Sequence, residues 1–247
     1  MRVFLTDDPA SVLARRPDLA PYAPAVTVTR GFQMPVKIPS WSALDPADRA
    51  TLFARAKKLY ALYHGAGCTN PFAFGMLGVA EGENEDLDPN GVGDFLDAAG
   101  KRLPWSEHPT GTPSSFGLHQ RKEDRTIAIR DGRKDSTGRV VFEGLGFDIK
   151  ALALAGTNTL ENEVRATLWE LKAFPLGYGA AAIFAAQMAY GAAYNATVTF
   201  ERAGTVANGE ATRRAIMAET WLEVSRGTWP LSRGPAPEGW EALASGW

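Results

Sequence analysis

One cysteine, Cys68, stands among 247 residues, so no internal disulfide can form and no cysteine-based zinc site can be built. It reads as a small buried hydrophobe beside a helix start. Charge of one sign is equally scarce: 26 basic residues face 28 acidic ones, mixed along the chain, for a formal net charge of -2. That leaves no field to steer the protein onto DNA, RNA or an anionic membrane. No segment approaches the roughly 20 apolar residues of a membrane span. The start, Met1-Arg2-Val3-Phe4-Leu5-Thr6-Asp7-Asp8, has acids where a signal peptide needs an apolar run. The expectation is a protein made soluble, which something else carries if it acts outside the cytoplasm. The histidines His64, His108 and His119 lack the spacing of a metal cluster, and the Asp-x-Asp-x-Asp-Gly spacing of a calcium loop is absent. No lysine follows Gly177-Tyr178-Gly179, which therefore reads as a helix-packing element rather than a phosphate loop. No internal repeat or long low-complexity tract is visible.

What is present, 45% hydrophobic and 22% charged residues, fits a globular domain with a sizeable core. Residues 1–40 read as an N-terminal extension with β-leaning patches at Ala25-Val26-Thr27-Val28-Thr29 and Met34-Pro35-Val36-Lys37-Ile38-Pro39. Asp45-Pro46 opens a helix with a side-chain cap followed by proline, and Leu52, Phe53, Ala56, Leu59, Tyr60 and Tyr63 form its apolar stripe. Asn70-Pro71 starts a second helix in the same way. Its residues Phe72 to Ala80 are apolar nearly all round, which predicts a central, buried position. A hairpin is expected over Arg125 to Phe147, with Thr126-Ile127-Ala128-Ile129 as one strand and a polar, mobile tip. Thr159 caps a further helix with Glu161 and Glu163 in its first turn, where the helix dipole favours acids. Gly177 to Tyr194 is rich enough in Ala and Gly for helices to pack closely against it. A last helix runs from about Asn208 to Arg226, and residues 227–247 read as an irregular tail that lies over the surface or docks on a partner.

The stretch from Ala80 to Gln120 holds the chemistry. The buried helix runs out into Glu81, Glu83, Glu85 and Asp86, then the turn Asp88-Pro89-Asn90-Gly91. A carboxyl group delivered by the end of an apolar helix into a polar cleft can serve as a general acid. On local sequence alone the four acids also fit a solvated acidic cap.

The motifs carry a resemblance. Glu83-Asn84, Leu87-Asp88-Pro89-Asn90-Gly91-Val92-Gly93-Asp94 and Ser115-Phe116-Gly117-Leu118-His119-Gln120 are similar, in that order, to the Glu-Ser, Asn-Pro-x-Ala-x-Gly and Tyr-Gly-Leu-x-Gln signature of lysozyme-like muramidases and lytic transglycosylases. The phage tail lysozyme group looks closest. Leu168-Trp169-Glu170-Leu171 and Phe200-Glu201-Arg202-Ala203-Gly204 resemble two further segments of those proteins. The resemblance covers about residues 45–226. It departs from the pattern at Asn84, at Asp88 and by one extra residue between Glu83 and Pro89, so the register between Glu81 and Glu83 stays open. It implies a mainly α (α+β) fold, a lysozyme-like helical domain with a small β-hairpin over residues 41–226. Glu83 would be the catalytic acid, and Ser115, Phe116, Gly117, Leu118, His119 and Gln120 would bind the sugar. Asp94 and Glu123 are candidates for a second carboxylate; without one in reach, the substrate's N-acetyl group would act as internal nucleophile. No cofactor or metal is implied. Peptidoglycan is the expected substrate, and the N-terminal arm and C-terminal tail are the expected contacts with other phage tail proteins. The alternative is a structural tail or hub protein that keeps the fold without activity.

Overall fold

The computed structural model describes residues 38–104, 107–201 and 209–247. The expected strand at residues 25–29, most of the patch at 34–39 and the segment from Arg202 to Gly204 lie outside them. The described residues are mainly helical with a small antiparallel sheet, and none of their helices is long and apolar enough to cross a membrane.

Helix α1 (Pro46–Gly65) is capped as expected, the Asp45 carboxylate accepting from the amides of Ala47 and Asp48. Helix α2 (Asn70–Glu83) begins one residue earlier than the sequence suggests. Thr69 is its cap, accepting from Phe72 N at 3.3 Å, while the Asn70 side chain accepts from the Tyr60 hydroxyl. Every residue from Phe72 to Glu81 is buried. Helices α7 (Ala189–Ala196) and α8 (Glu210–Ser225) press against α2 where glycine leaves room. A Cβ at Gly75 would lie 2.4 Å from the Ala192 Cβ, and one at Gly78 would lie 2.5 Å from Ala218 N. The expected close packing on the Ala- and Gly-rich stretch is this contact, and α2 becomes the axis of the core.

A three-stranded sheet of β1 (Val92–Gly93), β2 (Ser115–Phe116) and β3 (Arg121–Lys122) lies beyond the end of α2, with Val92 opposite Phe116 and Phe116 opposite Arg121. The predicted strand at 126–129 is instead part of helix α3 (Glu123–Asp131). Thr126 and Ile129 are buried three residues apart while Ile127 is exposed, Glu123 and Asp124 occupy the first turn, and Gly132 ends the helix at φ 94°. That is helical periodicity, which the β-branched residues disguise. The hairpin shrinks to β4 (Arg133–Lys134) and β5 (Val140–Phe142). Helices α4 (Ile149–Leu154) and α5 (Leu160–Ala173) follow, the latter capped by Thr159. Glu163 lies in the first turn as expected and is wholly buried. After α6 (Ala180–Phe184), α7 continues into a π-helical turn, Thr197–Glu201.

The tail is not an irregular covering. Trp229 is buried against Trp41 and Phe53, a 3₁₀ turn at Leu231–Arg233 enters the core, and a short α9 (Trp240–Ala244) leads to Trp247, whose ring meets Tyr60, Phe74 and Trp221. Residues from 38 to 44 and from 229 to 247 therefore belong to the same core as the helices.

Candidate functional site

Glu81 and Glu83 lie two residues apart on α2, roughly 200° around the helix axis, so one faces inward when the other faces out. Glu81 is the inward one. Its Oε1 accepts from Trp41 Nε1 at 3.1 Å, and its Oε2 accepts from Trp221 Nε1 at 2.7 Å and from Arg233 Nη2 at 2.6 Å. Burial pulls the Arg233 guanidinium below its ordinary value, and the Glu81 carboxylate opposes that pull. Glu83, with a side chain 20% exposed, opens into a cleft of about 1040 Å³ between the end of α2, the small sheet and the start of α8. Of the two acids, Glu83 lines the groove and Glu81 does not.

Ser115, His119 and Gln120 line the same cleft as Glu83. Phe116, Gly117 and Leu118, expected beside them, do not. Phe116 and Leu118 are 2% and 0% exposed and pack into the two hydrophobic clusters. At Gly117 (φ 76°) a Cβ would meet the Glu163 carboxylate at 2.3 Å, so this glycine makes room for a buried acid, not for a sugar. The Gln120 amide is partly committed, its Oε1 accepting from Ser115 Oγ at 2.8 Å and its Nε2 donating to Gly117 O at 3.0 Å. One N–H and one lone pair remain to face the groove. Among the described residues only Leu87, Asp94 and Gln120 are non-glycine residues with positive φ, at 56°, 48° and 46°. Asp94 and Gln120 line the cleft, and backbone held in this region concentrates at functional sites.

Asn84, where the resembled family carries serine, ties the turn behind the acid: its Nδ2 donates to Asp88 O at 2.8 Å. Of the two candidate second carboxylates, Asp94 lines the cleft, paired with Lys122 and Arg102. Glu123 does not; it is exposed at the start of α3 and pairs with Lys150 at 2.6 Å. His108 lines the cleft with its ring against Phe95, His119 is buried with its ring against Phe200, and His64 stacks on Tyr60 outside it. No group of three or more His, Cys, Asp or Glu among the described residues could hold a metal ion.

No family model, curated protein or solved structure matches this chain. The geometry of the cleft and the order of the motifs carry the functional reading.

Two features of the site were not legible in the sequence. Beneath the Ser115–Gln120 turn, Arg121 is fully buried, donating from Nε to Glu170 Oε2 at 2.8 Å, from Nη2 to Thr167 Oγ1 at 2.7 Å, and also to Glu163. Arg125 donates to the other Glu170 oxygen at 2.7 Å and lies over the Phe200 ring at 4.7 Å. Burial raises the Glu170 carboxyl, but the charges of Arg125 and Arg121 outweigh it and hold the group below its usual value. The segments around Glu170 and Phe200 thus support the cleft wall from behind. No local pattern announces such a network, because Arg121 meets its acids across 42 and 49 residues of sequence. The second feature is Arg214 on α8, whose Nη1 lies 2.6 Å from Glu83 Oε1. No N–H is aimed along that line, so the contact is one of charge rather than a directed hydrogen bond.

Proposed function

We propose that this protein cleaves peptidoglycan glycan strands between N-acetylmuramic acid and N-acetylglucosamine, with Glu83 as general acid. One observation carries the reading: the acid at the end of the buried helix opens into the cleft that Ser115, His119 and Gln120 also line, while its neighbour Glu81 is turned into the core. Cleavage requires a proton on the glycosidic oxygen as the bond breaks, and a carboxylic acid at the lip of an apolar helix is suited to deliver it. For that step Glu83 must take up a proton while Arg214 remains beside its Oε1. Gln120, with its remaining N–H and lone pair, would orient the sugar, its Oε1 held by the hydroxyl of the buried Ser115. Asp94 lines the cleft together with Glu85, Asp86 and Asp88; if it supports or delivers the attack, the product carries a reducing end. If the substrate's own N-acetyl oxygen attacks instead, a cyclic product results. The reading places the protein with a phage particle or lysis system acting on the cell wall, with no cofactor.

The Glu83–Arg214 pair also favours a second reading, a structural tail or hub protein that keeps this fold without turnover, since a satisfied ion pair needs no substrate. The test is clearance of a purified peptidoglycan suspension by the wild type and by Glu83→Gln. Clearance by the wild type alone supports the enzyme; equal inactivity of both proteins rejects it. Mass spectrometry of the released ends separates hydrolysis from 1,6-anhydro formation.

A further inference from the structure

Glu83 is held from the first two turns of α8. Arg213 Nη2 donates to the carbonyl of Gly82 at 2.9 Å, which fixes the last turn of α2. Arg214 reaches past it to the Glu83 carboxylate. Glu210, one turn earlier, accepts from Arg213 at 2.9 Å and lies 3.6 Å from Arg214 Nε, so it braces both cations. Arg214 is itself only 5% exposed, which separates it from a solvated surface arginine with free choice of partner. Its path is cut by a single glycine: a Cβ on Gly82 would stand 2.5 Å from Arg214 Cγ and 2.7 Å from its Nε. Gly82 is the penultimate residue of α2. The residue that makes room for the cation is thus the one immediately before the acid.

We propose that Arg214 is the positioning residue for Glu83, held over it by Glu210 and admitted by Gly82, so that the acid is aimed into the cleft before substrate arrives. This rests on the reading of Glu83 as the acid. A carboxylate on a short flexible stem at a helix end has several rotamers, and fixing one of them removes an ordering cost from the chemical step. Because the contact is one of charge without a directed fork, an ammonium in the same place keeps most of it, unlike the case of a bidentate arginine. The proposal thereby separates charge from shape.

The experiment uses the full chain and the variants Arg214→Ala, Arg214→Lys, Gly82→Ala, Glu83→Gln and the combinations Gly82→Ala/Arg214→Ala and Glu83→Gln/Arg214→Ala. With soluble peptidoglycan fragments, Arg214→Ala is expected to lower kcat by about tenfold to a hundredfold, with KM within about twofold, as misplacement of a catalytic group does. Arg214→Lys recovers most of kcat. Gly82→Ala lowers kcat in the wild-type background and adds no further loss where residue 214 is already alanine, because its effect passes through the arginine. Unchanged kcat in Arg214→Ala, equal loss in the lysine and alanine variants, or additive losses from Gly82→Ala would each overturn the proposal. Melting temperatures give a readout that needs no turnover: the double variant Glu83→Gln/Arg214→Ala is expected to lose less than the sum of the singles, and strict additivity would overturn the proposal even in a protein without activity. Wild-type activity in Glu83→Gln would instead remove the function reading itself, while leaving the measured coupling intact.

Discussion

Replacing Glu81 by glutamine separates the two neighbouring acids of α2 by what each loses. Both Glu81 oxygens accept hydrogen bonds, Oε1 from Trp41 and Oε2 from Trp221 and Arg233. The amide of a glutamine must therefore point its NH₂ at a donor whichever way it flips, and it leaves the Arg233 guanidinium, 0% exposed, without its counter-charge. Among the described residues Arg233 keeps Thr220 Oγ1 at 3.0 Å, Pro39 O at 3.1 Å and the Trp41 ring at 4.1 Å, none of them charged. Removing one partner of a buried ion pair costs about 3–5 kcal/mol. At about 2–4 °C per kcal/mol for a chain of this size, the melting temperature should fall by about 6–20 °C. Urea denaturation followed by tryptophan fluorescence reads the same loss directly, since Trp41 and Trp221 form the other half of the cluster, their rings 4.2 Å apart. Glu83→Gln, at a side chain 20% exposed, should cost less than Glu81→Gln, whose pair is 0% and 1% exposed. Glu81→Leu combined with Arg233→Met should lose less than Glu81→Leu alone, because no buried charge is then left unpaired. A loss below about 1 kcal/mol in Glu81→Gln would refute the account of the core. Lost clearing activity in a well-folded Glu81→Gln protein would refute the assignment of roles to the two acids.

Other outcomes follow from contacts elsewhere. Gly78→Ala, whose Cβ would meet Ala218 N at 2.5 Å, should cost about 1–3 kcal/mol by forcing α8 off α2, whereas Gly65→Ala, with nothing within 4 Å, should be neutral in the same denaturation assay. Thr69→Ala should lose about 1 kcal/mol as the loss of a cap, and Asn70→Ala less, which chemical denaturation of the two variants would show. The folded Glu170 carboxyl lies below its ordinary 4.5. Its stabilising contribution is present above that value and disappears as the pH falls through the lower folded one, so the acid limb of a stability profile should flatten in Glu170→Gln. Burial pushes the Cys68 thiol up, with Lys172 opposing, so labelling by a disulfide reagent should become fast only at higher pH than for an unfolded control.

The helical skeleton was readable where a cap and a periodic stripe coincide, as at Asp45 with the Leu52-to-Tyr63 face and at Thr159 with Leu160 and Val164. It was misread where residue type and period disagree: Thr126-Ile127-Ala128-Ile129 has the composition of a strand and the burial spacing of a helix, and spacing won. In the candidate site, the end of α2 at Glu83 followed from the apolar run, and the inclusion of Ser115, His119 and Gln120 from the motif resemblance. The inward turn of Phe116 and Leu118 did not follow, because a two-residue strand gives no alternation to read. Nor could Arg121 and Arg214 be found, since a lone arginine looks the same in sequence whether it faces water or an acid far along the chain, as Glu163 is from Arg121 by 42 residues. The tryptophans of the tail were visible, but nothing local distinguishes a ring that packs on its own core from one that waits for a partner.

Hydrogen bonds join residues 39–42 to residues 233–235: Ser40 donates to Arg233 O, Ser42 to Pro235 O at 2.6 Å with Arg233 O as the alternative acceptor at 3.0 Å, and Arg233 to Pro39 O. Topologically, the chain between them is a ring closed without a covalent bond, and the seam of that ring is riveted through Glu81 to the helix that ends in Glu83. Tension applied between the two flanks of the domain would therefore load the seam in shear before it reached the groove. A permuted chain, joined across the seam and reopened in the exposed tip at Thr137-Gly138, would keep its groove intact while moving both ends to the far side of the hairpin.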